Sequence, residues 1–248
     1  MISDFKIHGD TAADSESGAN PAQKYLTHTD YMQLTETERN QRALDRHERS
    51  PKTKWQIGRE FERYVGYQLE SDNYDVTYDG ATKGLEDLGR DLVATRGEET
   101  LIVQCKYWSS EKTIHEKHVY QLYGTYCDYV ISMNLGTQPN QGQLFGERDA
   151  LHSVRPLLLT TAKLSDRALL ASKLLKVESQ TIPMEKWRYP KIKCNISRTG
   201  EKIYHLPFDQ QYDTVKIKKE LGELFVATCA EAESLKFRRA WRWHNQSE

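Results

Sequence analysis

The stretch from Asp91 to Trp108, DLVATRGEETLIVQCKYW, constrains the fold more than any other part of this 248-residue chain. It reads as two strands, 91–95 and 100–108, joined by a turn at Arg96-Gly97-Glu98-Glu99. Side chains alternate faces along a strand. Ile102, Gln104 and Lys106 therefore share one face, and Leu101, Val103 and Cys105 share the other. Folding the hairpin about Gly97-Glu98 sets Thr95 opposite Thr100 and Asp91 opposite Gln104. Directly opposed residues have Cβ atoms ~4.5–5.5 Å apart. An acid, an amide and a lysine are thus expected to gather at one strand end. A slip of one residue in register would send Asp91 to the opposite face.

Two polar groups within an apolar strand need partners, because burying them unpaired costs a few kcal/mol. The Asp91 carboxylate is a hard oxygen ligand of the kind Mg²⁺ takes. The Gln104 amide can orient a ligand or water, and the Cys105 backbone carbonyl is a further metal ligand. Lys106 can position an attacking water, accept its proton or stabilise charge on a phosphate. The set suits metal-assisted hydrolysis of a phosphodiester. An ordinary edge hairpin with a surface Asp–Lys pair has the same spacing, so the residues alone leave both readings open.

A fourth group comes from the helix expected over about 55–70, WQIGREFERYVGYQLE, where Ile57, Phe61, Tyr64, Val65 and Gln68 follow one face. Gly58, Glu62 and Gly66 are spaced by four and lie along one row. Each glycine inside a helix costs about 1 kcal/mol relative to alanine, which suggests that something approaches this row. The strand cluster placed there would make Glu62 the second metal-binding acid. The alternative is a helix packed tightly on a sheet with Glu62 merely exposed.

The rest of the chain supplies context. Residues 1–24 are polar and aperiodic and are expected to be mobile, and 29–49 reads as a polar helix ending near Ser50-Pro51. After the hairpin the pattern predicts a helix (116–126), a strand (128–133), a Gly/Gln/Pro-rich loop (134–147), a strand (154–160), a helix (164–175) and a strand (177–182). Such alternation argues for an α/β domain. Beyond Arg188 a hairpin over 193–206, turning near Thr199-Gly200, precedes a helix over about 228–236. The net charge of −1 conceals a basic end: residues 188–248 carry +4, residues 1–50 carry −3. No apolar run nears the ~20 residues that span a bilayer, and the N-terminus has no signal-peptide core. No membrane partner and a cytoplasmic location are expected. Cys105, Cys127, Cys194 and Cys229 form no CxxC pair and read as free thiols.

GREFERYVGYQL, a loop ending in DLGRD, and LIVQCKYW together resemble the Mrr-type restriction endonuclease-like family of the PD-(D/E)xK nuclease superfamily. The matching positions are Gly58, Phe61 and Glu62, then Asp87, Gly89 and Asp91, then Gln104, Cys105 and Lys106. HVYQLYGTY and LLLTTAKLSDRALLASKLLKV are similar to the helix and the strand–helix that follow, so the resemblance covers about 55–185. It implies that Asp91 binds metal, that Gln104 stands where much of the superfamily has an acid, and that Lys106 is the catalytic lysine. Residues 134–149 depart from the pattern as an insertion. Leu88 and Arg90 also depart from it, in the loop before Asp91. The C-terminal stretch, TGEKIYHLPFDQQYDTVKI followed by AEAESLKFRRAWRW, resembles small modules related to the zinc-binding domain of the Ada repair protein, without the cysteines. Its Tyr204, His205 and Tyr212 read as a structural corner.

The expected architecture is an α/β restriction-endonuclease-like core, a central mixed sheet flanked by helices, at 53–187. A mobile N-terminus and helical arm (1–52) precede it, and a small basic β-rich module (188–248) follows. The expected function is DNA cleavage using Mg²⁺, with Mn²⁺ as a substitute, in a restriction or phage-defence role. A homodimer is one way to cut both strands. Arg238, Arg239, Trp241 and Arg242 would grip nucleic acid by charge and stacking, or else cap the core of the module with their stems. A structure-specific repair nuclease or junction resolvase, and a non-cleaving DNA-binding or assembly module, are the alternatives.

Overall fold

Thr27, Thr35 and Thr53 each begin a helix with a reciprocal capping box. In each, the threonine hydroxyl accepts from the third helical N–H, and the side chain there (Asp30, Glu38, Gln56) returns to the cap. The helices are α1 (His28–Gln33), α2 (Glu36–Arg49) and α3 (Lys54–Ser71). The single helix expected over 29–49 is therefore two, parted where Thr35 caps the second. The structure is a computed structural model that describes residues 20–79, 89–135, 153–183 and 188–241. The expected mobile segment 1–19, Asp87 and Leu88, most of the insertion at 134–149, and Arg242 lie outside the described residues.

The contacts divide the chain into two units: residues 52–188, and 1–51 together with 189–248. In the first unit, β1 (Asp75–Tyr78), β2 (Leu92–Arg96) and β3 (Glu99–Lys106) run antiparallel. Thr95 pairs with Thr100 and Leu92 with Val103, the register set by the two-residue turn in which Gly97 takes φ +58°. After β4 (Thr113–Ile114) and α4 (Glu116–Leu135), β5 (Val154–Thr160) joins β3 in parallel. Then come β6 (Lys163–Leu164), α5 (Asp166–Leu175) and β7 (Glu178–Thr181), which pairs in parallel with β5. The sheet order β1-β2-β3-β5-β7 is a central mixed sheet flanked by helices. Phe61 and Val65 of α3 pack with Val76, Tyr78, Leu92, Leu101, Val103 and Cys105 on one face. Val119 and Leu122 of α4 and Ala168 of α5 pack with Val93, Ile102 and Leu158 on the other.

Residues 128–133, expected as a strand, belong to α4. Tyr126, Tyr129 and Val130 continue the apolar row of Val119, Leu122 and Tyr123 at helical spacing and pack into the same core. Tertiary burial overrides the strand preference of the Tyr-Val-Ile run.

In the second unit, β8 (Ile192–Ile196), β9 (Lys202–His205), β10 (Leu224–Val226) and β11 (Arg238–Arg239) form a sheet in the order β10-β8-β9-β11, with α6 (Cys229–Ser234) beside it. The β8–β9 hairpin turns through Gly200 at φ +82°. Helix α2, which reads as part of a separate arm, shares this core. Leu44 packs with Ile192, Tyr204 and Cys229. Asn40 donates to the Tyr204 hydroxyl (3.1 Å), and Gln41 accepts from the Cys229 N–H (2.9 Å).

Candidate active site

Pairing of β2 with β3 ends at Leu92↔Val103, and there Asp91 takes over. Its N–H donates to the Val103 carbonyl (3.0 Å), and its carboxylate accepts the Cys105 N–H (2.6 Å). A side-chain oxygen thus fills the place of the next ladder acceptor. The N–H and C=O of a strand residue point toward the same neighbour, so the Cys105 carbonyl is directed to the Asp91 side of β3.

Gln104 is fully buried. Its amide donates to the Gly89 carbonyl (2.8 Å), while its Oε1 has no hydrogen-bond partner. Gly89 sits at φ +82°, and a Cβ there would lie 2.5 Å from Gln121 Nε2 and 3.1 Å from Gln104 Nε2. Only glycine lets the chain pass this close to both amides.

Glu62 is half-buried on α3 and takes a hydrogen bond from Arg59 (2.5 Å). Burial pushes the Cys105 thiol well up; Asp91 and then Glu62 push it the same way, against Lys106 and Arg59. All four charges act on this one thiol near the end of β3. They arrive from three directions rather than on one face. Glu62 comes from the α3 side, Gln104 from the α4 side, and Asp91 from the end of the neighbouring strand β2. The glycine row has a different cause from the expected one. A Cβ on Gly66 would lie 2.0 Å from the Tyr78 hydroxyl, so it is Tyr78 that approaches, whereas a Cβ on Gly58 would meet nothing within 4 Å among the described residues.

Lys106 is half-buried, and no ion pair to it is present among the described residues. Its charge also reaches His118 on the first turn of α4, whose pKa is lowered by burial first and then by Lys106, Lys117 and His115. His118 is absent from the residues singled out by sequence, although it opens the run HVYQLYGTY at a helix start. Among the described residues no three His, Cys, Asp or Glu side chains converge on a metal position. A metal here must draw on amide and carbonyl oxygens besides Asp91 and Glu62.

Residues 54–132 match the Mrr catalytic family, described as restriction endonuclease. This supports a restriction-type endonuclease in general, and the match spans the segment that carries Glu62, Asp91, Gln104, Lys106 and His118. Two solved structures are similar to the chain. One is a protein of unknown function, AF1548, at 16% identity and TM-score 0.32, covering 48% of this chain and 55% of that one. The other is the MspJI restriction endonuclease in complex with a 27-mer oligonucleotide, at 10% identity and TM-score 0.31, covering 64% of this chain and 32% of that one. The chain thus spans about half of the first and a third of the second. No curated protein matches it. No described helix is long and apolar enough to cross a membrane.

Arg238, Arg239, Trp241 and Arg242 are the residues expected to hold nucleic acid. Arg239 does not fit that expectation. It is 4% exposed, and both ends of its guanidinium engage Asp209. Burial works against its charge and Asp209 more than offsets it. Arg238 is partly exposed and donates to Glu201 (2.8 Å) and to the Arg239 carbonyl (3.1 Å). Trp241 is half-buried. The Tyr204 hydroxyl donates to Glu233 (3.0 Å) and the Tyr212 hydroxyl to the Lys191 carbonyl (2.7 Å), as befits a corner.

His205 gives this unit a pH dependence. It is 5% exposed, and burial lowers its pKa from 6.5 to about 4. Between those values the unfolded chain binds the extra proton, so stability falls as pH drops from 6.5 toward 4, by up to about 3 kcal/mol. Urea unfolding of the wild type and His205→Gln should diverge in this window, with the variant less pH-sensitive. Parallel curves would remove His205 from the account.

Proposed function

We propose that the chain is a metal-dependent endodeoxyribonuclease of restriction type that hydrolyses DNA phosphodiester bonds in the cytoplasm as a defence against foreign DNA. The observation that carries this is the Asp91 carboxylate held by the Cys105 N–H beside a buried Gln104 whose carbonyl oxygen has no partner, with Glu62 and Lys106 both acting on the same Cys105. The donor set fits a hard divalent cation. Every candidate ligand is an oxygen: the carboxylates of Asp91 and Glu62, the Cys105 carbonyl and Gln104 Oε1. Two acids suffice for Mg²⁺ or Mn²⁺, which keep several waters.

When bound, such an ion supplies Lewis-acid polarisation of the phosphate and lowers the pKa of a bound water. The chain does the rest. Asp91 is fixed by the Cys105 N–H, so its carboxylate is aimed before substrate arrives. Arg59 holds Glu62 in place from the same helix. Gln104, pinned through Gly89, presents its carbonyl oxygen at a constant height. Lys106 carries an ammonium that can meet the charge developing on the phosphate or orient the attacking water. A homodimer would set two such centres against the two strands. The C-terminal unit, read as a cysteine-free Ada-type module, would serve as an accessory to substrate choice.

The test is a plasmid-cleavage assay with Mg²⁺ or Mn²⁺. Lys106→Ala should lower the cleavage rate about 10²–10⁴-fold, and EDTA should abolish cutting. Cutting at the wild-type rate by Lys106→Ala, or in EDTA, would sink the reading.

A further inference from the structure

The stretch that leaves β3, from Lys106 to His118, carries Lys106, Lys112, His115, Lys117 and His118 against Glu111 and Glu116. Glu116 is directed to Arg167 at 3.7 Å. Lys112, His115 and Lys117 are exposed, and no ion pair to any of the five basic groups is present among the described residues. The charges that act on His118 (Lys106, Lys117 and His115) are all positive. With Glu116 turned to Arg167, three lysines face Glu111 alone, and such a local excess of positive charge raises the local concentration of anions.

The cluster is built around an aromatic ring that cannot wander. The backbone of Trp108 is held twice by Thr161, whose hydroxyl accepts from its N–H (2.9 Å) and donates to its carbonyl (2.6 Å). The His118 ring stands edge-on to Trp108, with centroids 4.9 Å apart at 90°. Lys112 Nζ lies 5.6 Å from the centre of the Trp108 ring. Both nitrogens of His118 are shielded from water and neither has a hydrogen-bond partner among the described residues. A shielded donor without a partner is a group awaiting one.

We propose that this ridge seats the sugar-phosphate backbone of the strand being cut, next to the phosphate held at Lys106. Lys112 and Lys117 contact backbone phosphates by charge, and Trp108 offers an apolar edge to a sugar or base. The His118 ring, whose nitrogens are shielded in the free protein, turns to donate a hydrogen bond to a phosphate or sugar oxygen as the backbone is seated. The inference rests on the nuclease reading and says where the substrate runs. Nucleic acid is favoured over an acidic protein because the ridge begins at the candidate catalytic lysine and pairs its charge with an aromatic ring.

The experiment measures binding of the full-length protein to a DNA duplex in EDTA over a range of salt, with cleavage by the same preparations measured in Mg²⁺. The folded double variant Lys112→Ala/Lys117→Ala should reduce the slope of log K against log[salt] by about two. His118→Phe, which keeps a ring against Trp108 and removes both nitrogens, should weaken binding about threefold to tenfold at constant slope. An unchanged slope in the double variant, with wild-type DNA still bound and cut, overturns the ridge alone and leaves an acidic protein as its occupant. Wild-type affinity in His118→Phe removes the histidine from the contact. A wild type that neither binds nor cuts DNA overturns the nuclease reading and this inference with it.

Discussion

Asp91→Asn is expected to stop cleavage while leaving the fold intact, and Asp91→Ala is expected to damage both. The two roles of this residue are separable because they use different properties of the carboxylate. As a structural group it needs only an oxygen that accepts the Cys105 N–H at 2.6 Å. An asparagine amide oxygen can do that. As a metal ligand it needs negative charge, which asparagine lacks. Loss of the charge should lower the cleavage rate about 10³-fold or more, equivalent to roughly 4 kcal/mol of transition-state stabilisation. Alanine should add a stability loss of about 1.5–3 kcal/mol, because a hydrogen bond to a charged group is removed. Cleavage assays and hydrogen exchange at the Cys105 amide read the two effects independently. Near-wild-type cutting by Asp91→Asn would take Asp91 out of the metal site.

The second large effect belongs to the other unit. Asp209→Ala strands the Arg239 guanidinium, 4% exposed, without its counter-charge. It also removes the acceptor of the Leu206 N–H (2.6 Å). Breaking a buried pair from one side costs about 3–5 kcal/mol, whereas replacing both partners with apolar residues of similar volume is often close to neutral. The double variant Asp209→Leu/Arg239→Met should therefore be more stable than Asp209→Ala alone. Hydrogen exchange of the β8 and β9 amides localises the loss to this unit. Equal protection in Asp209→Ala and wild type would mean that the pair is solvated and contributes little.

The hairpin was legible because two local rules agreed on it. The Gly97-Glu98 turn fixed the pairing of Thr95 with Thr100, and strict alternation separated Leu101, Val103 and Cys105 from Ile102. The fold of the first unit followed from strands alternating with helices, save for the end of α4. There Tyr129-Val130-Ile131 has strand-forming residues, but Tyr129 and Val130 pack with the α4 residues before them. Helical burial of that kind shows only when the neighbouring sheet is known. The attachment of α2 was hidden for another reason. Besides Leu44 and the His47 ring against Phe208, many of its ties are polar, among them Asn40 to Tyr204 and Gln41 to Cys229. Hydrophobic periodicity does not register such contacts. At the site, alternation identified Gln104 and Lys106 on one strand, yet it did not show that the Asp91 carboxylate turns back onto the Cys105 N–H. The Gly58–Gly66 argument found a real close approach at Gly66 and attributed it to the wrong neighbour.

The second unit is assembled from both flanks of the first: α2 lies before residue 52, and β8 to β11 lie after residue 188. Chains emerge from the ribosome N-terminus first, and domains fold as units. Residues 52–188 can therefore complete their core while α2 is still waiting for its sheet. Through that interval α2 is a capped, polar helix with Asn40, Gln41 and Leu44 unsatisfied, and the host closes only once β11 has been synthesised. Assembly of the second unit therefore waits for the segment after residue 188, whereas that of residues 52–188 does not.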